Sequence, residues 1–212
     1  VKKFVGLGSV CEYPDDVAIP FKESTLWDGY PSKITAPYGL AKKMMHVASD
    51  AYSSQYGFNA IHLLMINLYG PGDDFNPETS HAIPALIKRV YNAKNNNLDS
   101  IDVWGDGTAS REFLFVDDAA EAIVMATQSH NSSDPVNIGS GREVPIKILI
   151  ELICEYMDYQ GKIMWDTSKV GGQLRRKLDV NLAESSFGFK AKTEFEDGLK
   201  ETIGWYLSTQ VK

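Results

Sequence analysis

Tyr38 and Lys42 stand four residues apart in the stretch TAPYGLAKKMM (35–45), just after Pro37. Residues i and i+4 share one face of a helix, so the phenol and the ammonium can point into one site. An ammonium close to a phenol favours the phenolate, which lets a tyrosine act as an acid or base near neutral pH. A surface tyrosine beside a solvated lysine is the simpler explanation of this pair taken alone.

Ser9 closes the apolar run VKKFVGLGSV (1–10), which predicts a buried strand followed by a loop. Open α/β sheets bind their ligands at the carboxyl ends of strands, and Ser9 stands at such an end. Its hydroxyl can bind the same carbonyl oxygen that a nearby tyrosine protonates. The order Ser9, Tyr38, Lys42 therefore indicates chemistry on a carbonyl group.

The elements that must position these side chains form a strand–helix–strand unit at the start of the chain. A helix is predicted from Pro37 to a glycine C-cap at Gly57, and a second buried strand at Ile61–Ile66. Such a unit is expected to be parallel and right-handed. Strands and helices keep alternating afterwards, with helices predicted at 81–93, from Asp117 or Asp118 to 129, from Pro145, and near the end. The fold class is α/β.

Composition and charge exclude several classes of function. The 212 residues carry a formal net charge of −7, which disfavours binding to nucleic acid or to an anionic membrane. No apolar run reaches the about 18 residues of a membrane span. The two cysteines lack CxxC spacing and the four histidines lack ligand spacing, so we expect no metal. Two cysteines in a chain of this length fit a reducing cytoplasm, the expected location.

Longer motifs make the interpretation more specific. They are GSVCEYP (8–14), NLYGPGD (67–73), TSHAIPALIKR (79–89), VWGDGTASREFLFVDD (103–118) and LRRKLD (174–179). Together they resemble the nucleotide-sugar branch of the extended short-chain dehydrogenase/reductase family, also called the NAD-dependent epimerase/dehydratase family. The resemblance implies part of a Rossmann-like parallel sheet over 1–70. It also implies a smaller α/β substrate-binding region over 71–212, with some segments returning to the first domain.

The resemblance also assigns roles to residues. It makes Ser9, Tyr38 and Lys42 a reductase triad, and it makes Cys11 and His81 the acid and base that epimerise carbons next to a ketone. The residues expected to contact an NADP cofactor (with NAD as a possibility) are Tyr38, Lys42, Asn67, Leu68 and His81. Those expected to hold a GDP-sugar substrate are Asn67, Arg89, Trp104, Arg111 and Arg176.

Bland alternatives exist for three of these residues. Cys11 can be a small buried hydrophobe, His81 a helix-start residue, and Trp104 a core residue instead of a nucleotide contact. The chain also departs from the family pattern at Val10, expected to face the core, and at Glu12, where an apolar residue is common.

The resemblance places the first residue of the chain at the fifth strand of the family sheet. No GxxGxxG occurs in the 212 residues, so tight dinucleotide binding by this chain alone is not expected. Family members commonly form homodimers, here through helix 37–56 and helix 81–93. Three functions therefore stay open: a GDP-sugar epimerase/reductase, another nucleotide-sugar epimerase or reductase, and a non-catalytic nucleotide-sugar-binding fragment or subunit.

Overall fold

A computed structural model describes residues 1–169 and 173–210. Within these ranges the strands are β1 (Phe4–Ser9), β2 (Ala60–Met65), β3 (Asn67–Tyr69), β4 (Ser100–Trp104), β5 (Ser110–Phe115), β6 (Pro135–Ile138), β7 (Glu143–Pro145), β8 (Lys162–Asp166) and β9 (Arg175–Arg176). The α-helices are α1 (Ala36–Tyr56), α2 (Ala82–Asn95), α3 (Val116–Ser129), α4 (Ile146–Tyr156), α5 (Asn181–Phe187) and α6 (Phe195–Thr209). The α/β class predicted from the sequence is confirmed.

The chain divides into two compact units. The first unit comprises Val1–Leu68, Glu112–Arg142 and Arg176–Lys192. The second unit comprises Tyr69–Arg111, Glu143–Arg175 and Thr193–Lys212. The sequence-based division into a partial Rossmann-like domain over 1–70 and a mostly substrate-binding region over 71–212, with some segments returning to the first domain, stays a prediction.

The first unit is built on a parallel sheet of order β1-β2-β6. Gly6 pairs with His62, and His62 pairs with Pro135, so β2 lies between the other two strands. All six residues of β2 are buried, as its continuous apolar run predicts for a central parallel strand. The predicted strand–helix–strand unit is thus present, with parallel strands.

Helix α1 connects β1 to β2 and packs against both. Pro37 lies in its first turn, where the missing N–H costs nothing. Gly57 ends it in the left-handed region, at φ 64°, and donates its N–H to the Ser53 carbonyl. The buried face of α1 is unusually polar, because it includes Lys43, His46 and Ser49.

The second unit has a parallel pair of strands, β4 and β8, with Ser100 opposite Lys162. Helices α2, α4 and α6 pack together beside this pair. An aromatic cluster joins α2 to α6: the Tyr206 ring lies 4.3 Å from that of Phe75 and 5.4 Å from that of Tyr91. Packing in this unit is therefore mainly apolar.

A third sheet has the order β3-β5-β7, with β9 also paired to β5. Strands β3, β7 and β9 were not predicted from the sequence, because they have two or three residues and no periodicity. Helix α3 begins at Val116 with Phe115 as its N-cap, so the prediction that Asp117 or Asp118 caps it is wrong. Both aspartates lie in its first turn, where they complement the helix dipole.

Among residues 1–169 and 173–210, we find no helix with the length and apolar content needed to cross a lipid bilayer.

Candidate functional site

Lys42 anchors the start of α1, which also carries Tyr38, to the end of β1. Lys42 Nζ donates a hydrogen bond to the Leu7 carbonyl at 2.8 Å and lies 5.6 Å from the centre of the Tyr38 ring. Tyr38 is 52% exposed, so its hydroxyl is accessible to a ligand. Lys42 is therefore not a freely solvated lysine: it is fixed beside Tyr38 by the strand that carries Ser9.

Ser9 ends β1 and caps the short 3-10 helix Val10–Glu12. Its Oγ accepts a hydrogen bond from the Cys11 N–H at 3.2 Å, which fixes the Ser9 side chain over the turn. Cys11 is half-buried, and Arg176 Nη1 lies 3.6 Å from its Sγ. Val10 is buried in the core, as predicted.

Gly39 lets α1 approach this turn. A Cβ at Gly39 would lie 2.2 Å from the Cys11 carbonyl oxygen, far inside any real contact. Because Gly39 stands between Tyr38 and Lys42, this close approach brings the part of α1 that carries both residues to the turn with Ser9 and Cys11. Sequence reasoning missed this residue, although a glycine within the first turn of a predicted helix was a signal for close packing.

The two cysteines differ sharply. Cys154 is buried in α4, and burial raises the pKa of its thiol to about 11, so it stays protonated at neutral pH. Cys11 is half-buried on the turn next to Ser9. The thiolate is the reactive form of cysteine. Cys11 is therefore the cysteine better placed to take part in chemistry.

Asn67 and Leu68 follow β2 at the same edge. Met65, the last residue of β2, pairs with Ser9, so Asn67 lies two residues beyond the carboxyl end of β2. Its Nδ2 donates to the Glu112 carbonyl at 2.9 Å. Leu68 is 38% exposed. Contact of either residue with a cofactor stays a prediction.

Glu112, on β5, accepts the Asn67 hydrogen bond through its carbonyl and also makes buried hydrogen bonds through its side chain. Its buried carboxylate accepts hydrogen bonds from the Gly141 and Leu178 N–H groups, both at 2.7 Å. Burial raises the pKa of the Glu112 carboxyl, while these bonds oppose the rise. Glu112 thereby ties the loop after β6 and the segment after β9 to β5.

The remaining predicted residues line a cavity of about 740 Å³ in the second unit. His81 lies at its rim, exposed, at the position that precedes α2. Arg89 donates through Nη1 to the Asp102 carbonyl, and Arg111 Nη1 donates to the Ser110 carbonyl at 2.7 Å. These bonds hold each guanidinium at the wall of the cavity.

Trp104 ends β4 and is 63% exposed, so it is not a core residue. Lys169 Nζ lies 5.9 Å from the centre of its ring and also lines the cavity. The sequence did not single out Lys169, since nothing near it forms a motif. The cavity thus combines an accessible indole face with the cations of Arg89, Arg111 and Lys169, against one acid, Asp106.

The predicted residues therefore fall into two groups. Ser9, Cys11, Tyr38, Lys42, Asn67, Leu68 and Arg176 belong to the first unit, and His81, Arg89, Trp104 and Arg111 to the second. Arg176, predicted to hold GDP, contacts the Cys11 sulfur. In the described parts of the chain, no group of three or more His, Cys, Asp or Glu residues could hold a metal ion.

Comparison with known proteins agrees with this geometry. Residues 1–139 match the NAD dependent epimerase/dehydratase family. The chain is 42% identical over 212 residues to "Putative GDP-L-fucose synthase 2" of Arabidopsis thaliana. It is 41% identical over 211 residues to "Probable GDP-L-fucose synthase 1" of Oryza sativa subsp. japonica. Each alignment covers 100% of this chain and 64% of the relative, so the chain spans under two thirds of their length.

Among solved structures, a GDP-L-fucose synthetase from Naegleria fowleri bound to NADP matches with a TM-score of 0.91 and 28% identity. That match covers 100% of this chain and 68% of the other, which confirms the Rossmann-like α/β fold. The chain therefore belongs to the NAD dependent epimerase/dehydratase family.

Proposed function

We propose that this chain carries the catalytic and sugar-nucleotide-binding parts of an oxidoreductase and isomerase that converts GDP-4-keto-6-deoxy-mannose to GDP-L-fucose. The reaction would combine 3,5-epimerisation with an NADPH-dependent 4-reduction. One observation carries the proposal: β1, its 3-10 turn and α1 bring Ser9, Cys11, Tyr38 and Lys42 to one edge of a parallel sheet. The names of the relatives support the substrate.

The reduction needs a proton donor at the C4 oxygen. NADPH, when bound, supplies the hydride for this carbon. Tyr38, with its accessible hydroxyl, gives the proton to the oxygen, and the Ser9 hydroxyl hydrogen-bonds the same atom and stabilises its developing charge. Lys42 fits the ribose end of the cofactor, because its ammonium is held at the end of β1 beside Tyr38.

The epimerisation needs an acid and a base for the hydrogens at C3 and C5. A C4 ketone acidifies these hydrogens, and the Ser9 and Tyr38 hydroxyls would stabilise the enolate oxygen. Cys11 is assigned one role, because it lies on the turn next to Ser9. His81 is assigned the other, because an imidazole exchanges protons near neutral pH.

The second-unit cavity is assigned to the GDP portion of the substrate. Arginine forks suit a diphosphate through charge-assisted hydrogen bonds, which gives Arg89 and Arg111 their role. The exposed Trp104 ring offers a face on which the guanine can stack. Arg176 is expected to reach the substrate next to Cys11.

The test is calorimetric titration of the chain with GDP and with NADPH, together and separately. GDP should bind saturably, whereas NADPH is expected to bind only weakly to this chain alone. Oxidation of NADPH at high concentration, on addition of the keto sugar, would then support the proposal. Binding of GDP without NADPH would favour a non-catalytic sugar-nucleotide-binding part. Turnover of a different nucleotide sugar would favour another epimerase or reductase of the family.

Two variants, Cys11→Ser and Trp104→Ala, separate epimerisation from binding of the GDP portion. Cys11→Ser should abolish solvent deuterium incorporation at C3 and C5, while GDP still binds. Unchanged exchange would remove Cys11 from the epimerisation.

Trp104→Ala should weaken GDP binding by about 1–3 kcal/mol, in line with base–aromatic stacking. Because Trp104 is largely exposed, its loss should leave the unfolding midpoint unchanged.

A homodimer formed through α1 is part of the proposal. Leu40, Met44 and Val47 form an exposed apolar stripe at helical spacing along α1. Helix α2 offers less, since Ile83, Leu86, Ile87 and Val90 are buried. Sedimentation should show a dimer that Met44→Glu dissociates, and a monomeric wild type would refute this part. The cytoplasmic location stays a prediction.

A further inference from the structure

Glu12 is an acidic residue with no exposed surface, and it ends the 3-10 turn that follows Ser9. Its Oε1 accepts a hydrogen bond from the Ser9 N–H at 2.8 Å, which closes a capping box with the Ser9 side chain. His62 Nε2 lies 3.2 Å from both carboxylate oxygens. A buried carboxyl group is tolerated only when its oxygens have partners, and here the Ser9 N–H and His62 Nε2 supply them.

The pair occupies the space above Gly8, between β1 and β2. A Cβ at Gly8 would lie 2.4 Å from Glu12 Oε1 and 2.5 Å from His62 Nε2. His62 projects from the central strand, where it pairs with Gly6. Gly8 is thus needed, because the side chains of the pair fill the place where its own would stand, whereas a Cβ at Gly6 would lie 3.0 Å from His62 Nδ1.

The pair is also connected to α1, the helix that carries Tyr38 and Lys42. The His46 ring of α1 stacks on the His62 ring, with 4.7 Å between centres and 15° between planes. Burial, helped by the neighbouring His62, lowers the pKa of His46. His46 is further held by the Ser133 carbonyl, 3.2 Å from its Nε2. Contacts therefore run from Ser9 through Glu12 and His62 to α1.

We propose that Glu12 and His62 are positioning residues that hold the turn bearing Ser9 and Cys11 in one place relative to α1. The carboxylate fixes the Ser9 backbone, His62 fixes the carboxylate, and the stacked His46 links both to the helix of Tyr38 and Lys42. An apolar side chain at position 12 could fill the space but could not accept the Ser9 N–H. This inference rests on the proposed function for its purpose, although its geometry stands without it.

The test compares Glu12→Leu with Glu12→Gln, two variants of similar size. Glutamine keeps an acceptor for the Ser9 N–H and leucine does not. The readout is the rate of Cys11 alkylation by iodoacetamide at pH 8, followed by mass spectrometry. Glu12→Leu should change this rate about fivefold or more, which corresponds to the loss of one hydrogen bond of about 1 kcal/mol. Glu12→Gln keeps that hydrogen bond and should stay within about twofold of the wild-type rate.

Two controls exclude a general loss of stability. Cys154 is buried with a pKa of about 11, so its alkylation at pH 8 would report unfolding. His62→Asn is compared with His130→Asn. His130 is another buried histidine of the first unit, and its ring contacts Phe187 instead of the turn. The His62 variant should change the Cys11 rate, and the His130 variant should not.

The proposal is overturned if Glu12→Leu leaves the Cys11 rate within twofold of wild type, or if leucine and glutamine change it equally. In turnover assays, Glu12→Leu should lower kcat with little change in KM for the GDP-sugar. If the wild-type protein turns over no GDP-sugar, the proposed function fails, while the alkylation comparison still decides whether the pair positions the turn.

Discussion

The two units hold their functional residues in different ways. In the first unit, backbone contacts fix the groups to which we assign the chemistry: the Leu7 carbonyl holds Lys42, the Cys11 N–H holds the Ser9 hydroxyl, and Gly39 packs against the turn. In the second unit, backbone carbonyls also hold the guanidinium groups of Arg89 and Arg111, but the Trp104 ring is 63% exposed and lies at the wall of a cavity. Groups that react need fixed geometry, whereas groups that bind a mobile nucleotide need access.

The same difference appears in the interior. Among the described residues, every buried polar or charged side chain except Ser110 and Thr202 belongs to the first unit. Buried polar groups must find partners, so each adds a constraint on geometry that apolar packing does not impose. The first unit therefore has a more specified interior, and substitutions there should affect chemistry as well as stability.

The largest expected effect is on turnover by Tyr38→Phe. Removing the hydroxyl removes the proton donor, and general acid catalysis contributes about 10²–10⁴-fold. GDP binding, assigned to the second unit, should be unchanged in calorimetry. Tyr52→Phe, an exposed tyrosine on the same helix, is the control and should keep full turnover. A parallel loss of GDP affinity would contradict the division of roles.

Gly39→Ala should have the next largest effect. Alanine is the better helix former, but its Cβ would stand 2.2 Å from the Cys11 carbonyl oxygen, a backbone atom that cannot rotate away. We expect a loss of about 1–3 kcal/mol or more in the free energy of unfolding, as for other overpacked sites. Urea denaturation measures it, and an unchanged midpoint would show that α1 can move away from the turn at little cost.

Acid should weaken the first unit before the second. Burial lowers the pKa of both His46 and His130, and both lie in the first unit. At these two histidines the unfolded chain binds more protons than the folded one, so the stability they contribute is full above the ordinary histidine pKa of 6.5 and is lost as the pH falls below it. Hydrogen exchange at pH 7 and pH 5.5 should show faster opening of β1 and β2 at the lower pH.

The matched variant for this prediction is His46→Gln, which cannot take up a proton. Its unfolding free energy should depend less on pH between 7 and 5.5 than that of the wild type. An equal dependence would mean that other groups carry the acid sensitivity of the first unit.

Much of the structure of the first unit could be predicted from local sequence. The strand–helix–strand unit, the Gly57 cap and the burial of Val10 follow from apolar runs and from residues with special backbone preferences, which act within a few positions. The proximity of Lys42 to the end of β1 follows in the same way from the parallel topology.

The remainder depends on residues distant in the chain. Glu12 and His62 are 50 positions apart, and neither gives a local signal that it is buried beside the other. Lys169 reaches the Trp104 ring across the pairing of β4 with β8, and strands β3, β7 and β9 are too short to show a period. These features depend on contacts between residues that are distant in the chain, and no short stretch of the sequence indicates which distant residues will meet.

The smallest expected effect is also the sharpest check on the contrast between the units. Gly204 lies in α6 of the second unit, is exposed, and has no atom within 4 Å of the place where a Cβ would stand. Gly204→Ala should therefore raise the free energy of unfolding by about 0.5–1 kcal/mol, the gain in helix propensity alone. The same substitution thus has opposite signs at Gly39 and Gly204, because only the first meets a backbone atom. If urea denaturation gave both variants the same sign, close approach of α1 to the Cys11 turn would not be what sets the first unit apart.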